Sequence, residues 1–338
     1  MKKLTILLVF LLVAAMLCAC GVAPVQDAEE TGETGETEET GETEETGETR
    51  ETMPPPPIPT DPATVGYPYD YTDVSFFEID NCLDYAPKCK LIGPKNNAPV
   101  SFKAGDGYVV AQGACSDGTY GYFALCNTSA MIDGKFMEAA KIVKMDLSTW
   151  EVVTVSDPVR TCHSNGMCYN SKTGKLLVVH NKPEFQRISV IDPETLKVEK
   201  VITIDRYIQS IGYSAARDQY VVRISGTWDF AVLDADFNEV GYYETGVRTP
   251  LGSQCMTCDD EYIYMLDSGV LKMPGTECFT VYDWEGNYLG VYRIPSAQES
   301  EAIIIHQGTF YLTFFNGNGG RLYKMEFDTS LLGNWVKE

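Results

Sequence analysis

Five polar residues open five similar apolar stretches of this 338-residue chain: Gln112, Asn165, Gln209, Gln254 and Glu301. They stand 53, 44, 45 and 47 residues apart, and two positions after each comes Ala114, Met167, Ile211, Met256 or Ile303. Ser164, Ser210, Ser253 and Ser300 adjoin the openings, with His163 and Glu299 just outside them. Gathered at one place, these groups would supply amide donors and acceptors, a ring carboxylate in Glu301 and a proton acceptor in His163. That is the chemistry of a polar pocket for a small ligand. The plainer reading is that amides at a narrow rim satisfy backbone groups and hold water.

Whether they gather depends on the elements that carry them. Around Cys162–Ile204 the chain has four runs rich in Val, Ile, Leu and Tyr, separated by turn residues at Asn170-Ser171, Asn181-Lys182-Pro183 and Asp192-Pro193-Glu194. This is a four-stranded antiparallel meander. Such a sheet cannot bury its faces alone, and copies of it precede and follow. Second strands are expected at Tyr120–Leu125, Leu176–His180, Tyr220–Ile224, Tyr262–Leu266 and Phe310–Phe314. Third strands should end at Asp146, Asp192, Asp234, Asp283 and Glu326, where an acid can bond the turn backbone. The long first interval is explained by an insertion, Asn127–Glu138. A period near 45 with four strands per copy predicts an all-β fold, a five-bladed β-propeller of four-stranded antiparallel blades. Val74–Ile79 is expected to complete the last blade, and Asn81–Asn97 reads as loop. The alternative is six blades, with Tyr67–Ser101 supplying a degenerate one. Radial closure would bring the five openings to the upper mouth of one central channel.

Residues 66–338 form the propeller in this reading. Before them, 20–65 is a stalk: between Asp27 and Thr52, Gly-Glu-Thr and Glu-Glu-Thr repeats carry twelve acids against the single Arg50, half of the formal net charge of −22. A segment with nothing apolar to bury and strong self-repulsion is expected to be disordered, and its ~45 residues span roughly 40 Å as a coil. Met53-Pro54-Pro55-Pro56-Pro57 stiffens its end. Residues 1–19 have the form of a signal peptide, with Lys2 and Lys3 ahead of an apolar run from Leu4 to Leu17 that is short for a bilayer span. The absence of a basic footprint disfavours nucleic acid as a partner.

Of eleven cysteines, nine follow Cys18 and Cys20, an odd number that cannot form a closed disulfide framework. Cys82 and Cys89 are close enough for a local bridge. Cys255 and Cys258 mimic a metal or redox pair, yet a spacing of three within a strand sends the two side chains to opposite faces. No second such pair completes a zinc site. There is no nucleophile elbow, phosphate loop or His-Glu-x-x-His. Trp150, Trp228 and Trp284 fall at turns, where an indole stacks on a sugar or covers the edge of a blade core.

Two resemblances add to this. Leu17-Cys18-Ala19-Cys20-Gly21 resembles the lipobox of bacterial lipoproteins, which implies diacylglycerol and palmitate on Cys20 and a lipid-anchored chain facing the extracytoplasmic side of the cell membrane. Plain secretion is the alternative. Tyr169-Asn-Ser-Lys-Thr-Gly-Lys-Leu-Leu-Val178 and Ile188-Ser-Val-Ile-Asp-Pro-Glu-Thr-Leu196 resemble blades of the YVTN/NHL-type bacterial propeller superfamily, across about 230 residues. Propeller lactonases of the gluconolactonase type hold a divalent metal with Glu, Asn and Asp. Asn165 and Glu301 look like two such ligands, which would make calcium the cofactor, but the ring has no aspartate where tight calcium sites assemble several carboxylates. Glycosidases need opposed acids, and Glu299 and Glu301 enter from the same strand. The sequence thus favours a binding module for an extracellular small molecule, glycan or protein. The alternative is a lactonase or carbohydrate-active hydrolase using Glu301 and His163.

Overall fold

Each polar opening leads, in the computed structural model of this protein, into an inner strand beside which three more strands fold back. The structure describes residues 77–78, 86–132, 135–181, 184–245, 247–248, 251–269 and 276–333. The signal and stalk readings, on 1–65, lie outside them.

Blade one runs Val110–Ser116, Tyr120–Ile132, Lys135–Asp146 and Glu151–Val155. Blade two runs Gly166–Asn170, Lys175–Val179, Arg187–Ile191 and Val198–Thr203; blade three runs Ile208–Ser214, Gln219–Ile224, Phe230–Leu233 and Glu239–Tyr243. Blade four is Gly252–Cys258, Tyr262–Ser268, Glu277–Asp283 and Tyr288–Ile294, and blade five opens with Ser300–His306, Thr309–Phe315 and Gly320–Glu326. Every pairing within a blade is antiparallel. Each inner strand touches the inner strands of the blades before and after it, and the fifth returns to the first. That closed cycle decides for five blades over six.

The last blade is completed differently from expectation. Its outer strand is Lys90–Ile92, which pairs antiparallel with Lys324–Glu326, and Val100–Phe102 pairs with Gly320–Leu322 on the same strand. Phe77–Glu78, within the segment expected there, instead pairs parallel with Val247–Arg248. The stretch read as loop thus contains the closing strand. The ring is shut by joining a segment ahead of blade one to the strand that ends blade five, so opening it requires breaking a ladder as well as a packed face. The insertion Asn127–Glu138 lengthens the second and third strands of blade one into a hairpin that reaches beyond the sheet.

Twisted sheets bury both faces against their neighbours, so the core lies between blades. Tyr122, Ala124 and Ile142 of blade one meet Met167, Leu176 and Val178 of blade two, and Val179 and Ile188 meet Ile211 and Val222 at the next boundary. Phe230 and Val221 meet Met256, Ile263 and Tyr282, and a larger cluster joins blades four, five and one through Phe279, Tyr292, Ile303, Phe314 and Phe123. The five residues that follow the polar openings are all buried here. The outer strands of blades one, two and three are more exposed, with Val152, Val153, Val198, Val201 and Val240 facing solvent, whereas that of blade four is largely buried.

The acids expected at turns do what their recurrence implied. Asp146, Asp192, Asp234 and Asp283 each accept backbone N–H groups from the following turn, while Glu326 pairs with Lys324 instead. The eight cysteines among the described residues are free and buried. Cys89 is therefore not bridged, and Cys82 lies outside the described residues. Cys255 packs in the cluster shared by blades four, five and one, and Cys258 in the one between three and four, as a spacing of three on a strand requires.

Candidate functional site at the channel mouth

The five openings sit in irregular backbone. In four blades the register between the inner and second strands shifts at the polar position: between Ala111 and Ala114, Ile208 and Ser210, Ser253 and Met256, and Ser300 and Ala302. Gln112, Gln209, Gln254 and Glu301 lie within these bulges, and Asn165 immediately precedes its strand. A bulge leaves a residue out of the ladder and turns its side chain away from the regular alternation. All five residues are buried, with 7% exposure or less.

Close approach of the strands is made possible by glycine. A Cβ on Gly113 would lie 2.7 Å from the Ser164 carbonyl oxygen, and one on Gly166 would lie 2.4 Å from Ser210 Cα. No side chain fits at either place, so the inner strands of blades one, two and three meet backbone to backbone, with Gly113 N–H donating to Ser164 O at 2.9 Å.

Hydrogen bonds then tie blade to blade around the ring. Gln112 Nε2 donates to Glu301 Oε2 (3.2 Å), across the boundary of blades one and five. Gln254 Nε2 donates to Glu299 Oε1 (3.0 Å), and Gln209 is held by Ser253 through both ends of its amide, donating to the backbone oxygen and accepting from the hydroxyl at 2.6 Å. Ser210 accepts from Met256 N–H (2.7 Å), and Ser300 donates to Glu277. Asn165 accepts from Asn181 within blade two. Gln112 Oε1 is buried with no hydrogen-bond partner among the described residues.

The ring also gathers more acid than its own five positions supply. His163 Nδ1 contacts Glu138, which stands on the inserted hairpin of blade one. Burial raises Glu299 above the usual carboxylate range, opposed by the charge of His163 and by the Gln254 amide. Glu138 and Glu301 both act on the buried Cys126 thiol, whose pKa burial lifts well above its ordinary value. Cys126 lies against the carbonyl oxygens of Cys162 and His163. Glu138, Glu299, Glu301 and His163 therefore belong to one neighbourhood. It can hold a hydrogen-bonding or cationic group, and His163 is placed to exchange a proton with a carboxylate.

No family model matches the chain, and no curated protein matches its sequence. Among solved structures, glutaminyl cyclase of Myxococcus xanthus is similar over 68% of this chain and 94% of its own, at 13% identity and a TM-score of 0.49. Hydrazine synthase of Kuenenia stuttgartiensis is similar over 63% of this chain and 57% of its own, at 15% identity and a TM-score of 0.37. The β-propeller rests on the chain's own five sheets, and the activities in those two names belong to those two proteins.

Of the residues expected at the mouth, Gln112, Gln209, Gln254, Glu299 and Glu301 are joined by direct bonds within or beside the ring, and His163 stands with Glu299. Glu138 and Asn181 were not anticipated. Glu138 is one of two carboxylates in the insertion, with Asp133, and it stands on the hairpin strand that folds back beside His163. Of the turn tryptophans, Trp284 is buried, donates to Asp259 O at 3.2 Å and lies under Arg217. Trp150 packs on Tyr311. Both cover blade cores.

Proposed function

We propose that this chain is an exported, lipid-tethered binding module that takes a small polar or cationic extracellular ligand, such as an amine-bearing molecule or sugar, at the mouth of its propeller channel. The observation that carries the reading is the buried ring itself: amides from four blades and a carboxylate from the fifth, with Glu138, Glu299 and His163 adjoining. Burying polar side chains at this density costs free energy unless partners satisfy them, and the unpartnered Gln112 oxygen gives a donor on a ligand somewhere to bind. In this reading the lipobox-like cysteine, Cys20, anchors the chain in the membrane and the acidic stalk holds the ring away from it.

Thermal-shift screening of amines, glycans and lactones, with and without calcium, tests the site. A ligand found this way should lose at least tenfold in affinity in Glu301→Ala and in Gln112→Ala, and unchanged affinity in both would reject the placement. Labelled palmitate should be incorporated by the wild type and not by Cys20→Ser; equal incorporation would remove the tether from the proposal.

A hydrolase is the second reading, and the His163–Glu138 contact favours it, because a carboxylate that orients an imidazole is a recurring part of general-base catalysis. Turnover in an ester, lactone or glycoside panel that is lost in His163→Ala would establish it. Asn165 and Glu301 fit a calcium ion poorly, since the five ring positions supply a single carboxylate where tight calcium sites assemble several.

A further inference from the structure

Beside the mouth, but facing into blade two, a second group of side chains converges that the channel does not use. Cys162 Sγ, a His180 ring nitrogen and a Glu184 carboxylate oxygen all lie within 4.8 Å of one another. We propose that these three residues bind a borderline-soft divalent transition ion, of which zinc is the type, with a fourth position left to water.

The donor set suits such an ion. Thiolate, imidazole and carboxylate are the three side-chain ligands zinc takes, and three protein ligands with one open position is a common arrangement. Bond lengths of about 2.0–2.3 Å place tetrahedral ligand atoms about 3.3–3.8 Å apart. The 4.8 Å bound on the three atoms exceeds that span by roughly an ångström, while the His180–Glu184 pair, at 3.0 Å, is already within it.

The surroundings are arranged as an outer shell. His180 is 1% exposed; its Nδ1 lies 3.0 Å from Glu184 Oε2, and its Nε2 lies 2.8 Å from Ser189 Oγ. A metal-bound histidine keeps its other nitrogen protonated and bonded. Ser189 can accept that proton's hydrogen bond as readily as donate one, so Nδ1 is released to a metal without orphaning either group. Glu184 is held by Arg160 at 3.0 Å and Arg187 at 3.2 Å. Both guanidiniums are about half exposed, and Glu184 would exchange their contacts for the ion on binding.

Cys162 is fixed by the backbone. Its φ is +49° and that of Ser164 is +55°, conformations uncommon for side-chain-bearing residues. Ser164 N–H lies 3.2 Å from the His180 carbonyl oxygen and 3.1 Å from that of Thr161. The turn carrying the thiol is thus fastened to the strand end carrying the imidazole, and a strained turn that presents a buried thiol to a histidine and a glutamate has the character of a functional one. On binding, the thiol proton passes to solvent.

Cobalt(II) titration of the reduced, metal-stripped full chain tests this. The expected result is a thiolate-to-cobalt charge-transfer band that saturates at one equivalent, is bleached by zinc, survives Cys18→Ser/Cys20→Ser and Cys278→Ser, and disappears in Cys162→Ser. Channel-mouth carboxylates cannot give that band, because it requires sulfur. Absence of the band in the wild type overturns the proposal, as does its persistence in Cys162→Ser or its loss with the two N-terminal cysteines. Should Cys162→Ser fail to fold, Glu184→Gln decides at a less buried position: a tenfold or greater weakening of cobalt supports the site, and unchanged affinity overturns it.

Discussion

Removing the negative charge from Asp267 should destabilise this propeller more than a typical point substitution does. Arg223, on the second strand of blade three, donates to Asp267 Oδ1 at 2.6 Å and to Leu266 O at 2.8 Å on the second strand of blade four. The two side chains are 0% and 2% exposed, and Arg223 Nε is buried with no partner among the described residues. Asp267→Asn keeps the shape and leaves a guanidinium whose charge is no longer balanced by this carboxylate. Breaking a buried pair from one side costs about 3–5 kcal/mol, against roughly 0–1 kcal/mol for an exposed pair. For a domain of this size that is a fall in Tm of roughly 6–20 °C. Replacing both partners by apolar residues, Arg223→Met with Asp267→Leu, should recover most of the loss, because desolvating the two charges consumes much of what their attraction returns. Urea and thermal unfolding of the wild type, both single variants and the double variant form the cycle. A loss below about 1 kcal/mol in Asp267→Asn, or strict additivity in the double variant, would refute the reasoning.

Glu277 gives a pH prediction. Burial raises its carboxyl from 4.5 to about 7, against bonds from Ser268, Gly269 and Ser300, with the Arg223–Asp267 pair on the neighbouring strand. Because the folded state holds this proton more tightly, the stability it contributes is complete below about pH 4.5 and is lost as pH rises towards 7. The stability difference between wild type and Glu277→Gln should therefore fall by up to ~1.4 kcal/mol per pH unit in that window; parallel melting curves would contradict it. Gly166→Ala should cost roughly 1–3 kcal/mol by forcing the inner strand of blade three away, since the new carbon meets Ser210 Cα and Ile211 N, which are backbone. Denaturant melts check this, and a loss within about 0.5 kcal/mol would mean that the inner strands are not in close contact there.

The repeat was legible because it is written in local terms. Alternating apolar runs recur in every blade at a period near 45, with a turn aspartate in four of the five, and the inner-strand openings could be aligned from them. The closing strand was not legible. Lys90–Ile92 has three residues, lies between Pro87 and Pro94 and shows no full alternation, so its assignment depends on a partner more than two hundred positions away. Arg223 left a signal that went unread: one charge inside the run Gln219–Ile224, matched by Asp267 at the end of the equivalent run in the next blade. Cys162, His180 and Glu184 carry no recognisable spacing, because a turn and a strand end bring them together.

The bulges explain why the polar openings could be aligned from sequence while their bonding could not. In a regular ladder, alternate residues of an inner strand face the two neighbouring blades, and a polar residue there would be driven into an apolar interface. Shifting the register at the same point in four blades lets the apolar residue two positions on return to the interface, as Ala114, Ile211, Met256 and Ile303 do, while the polar one leaves it. The switch from polar to apolar was therefore visible as composition. Which amide bonds which carboxylate depends on the offset between neighbouring blades, set by the glycine contacts and by the interface packing. The ring is thus a property of five strands together, and one blade in isolation would present only an irregular edge.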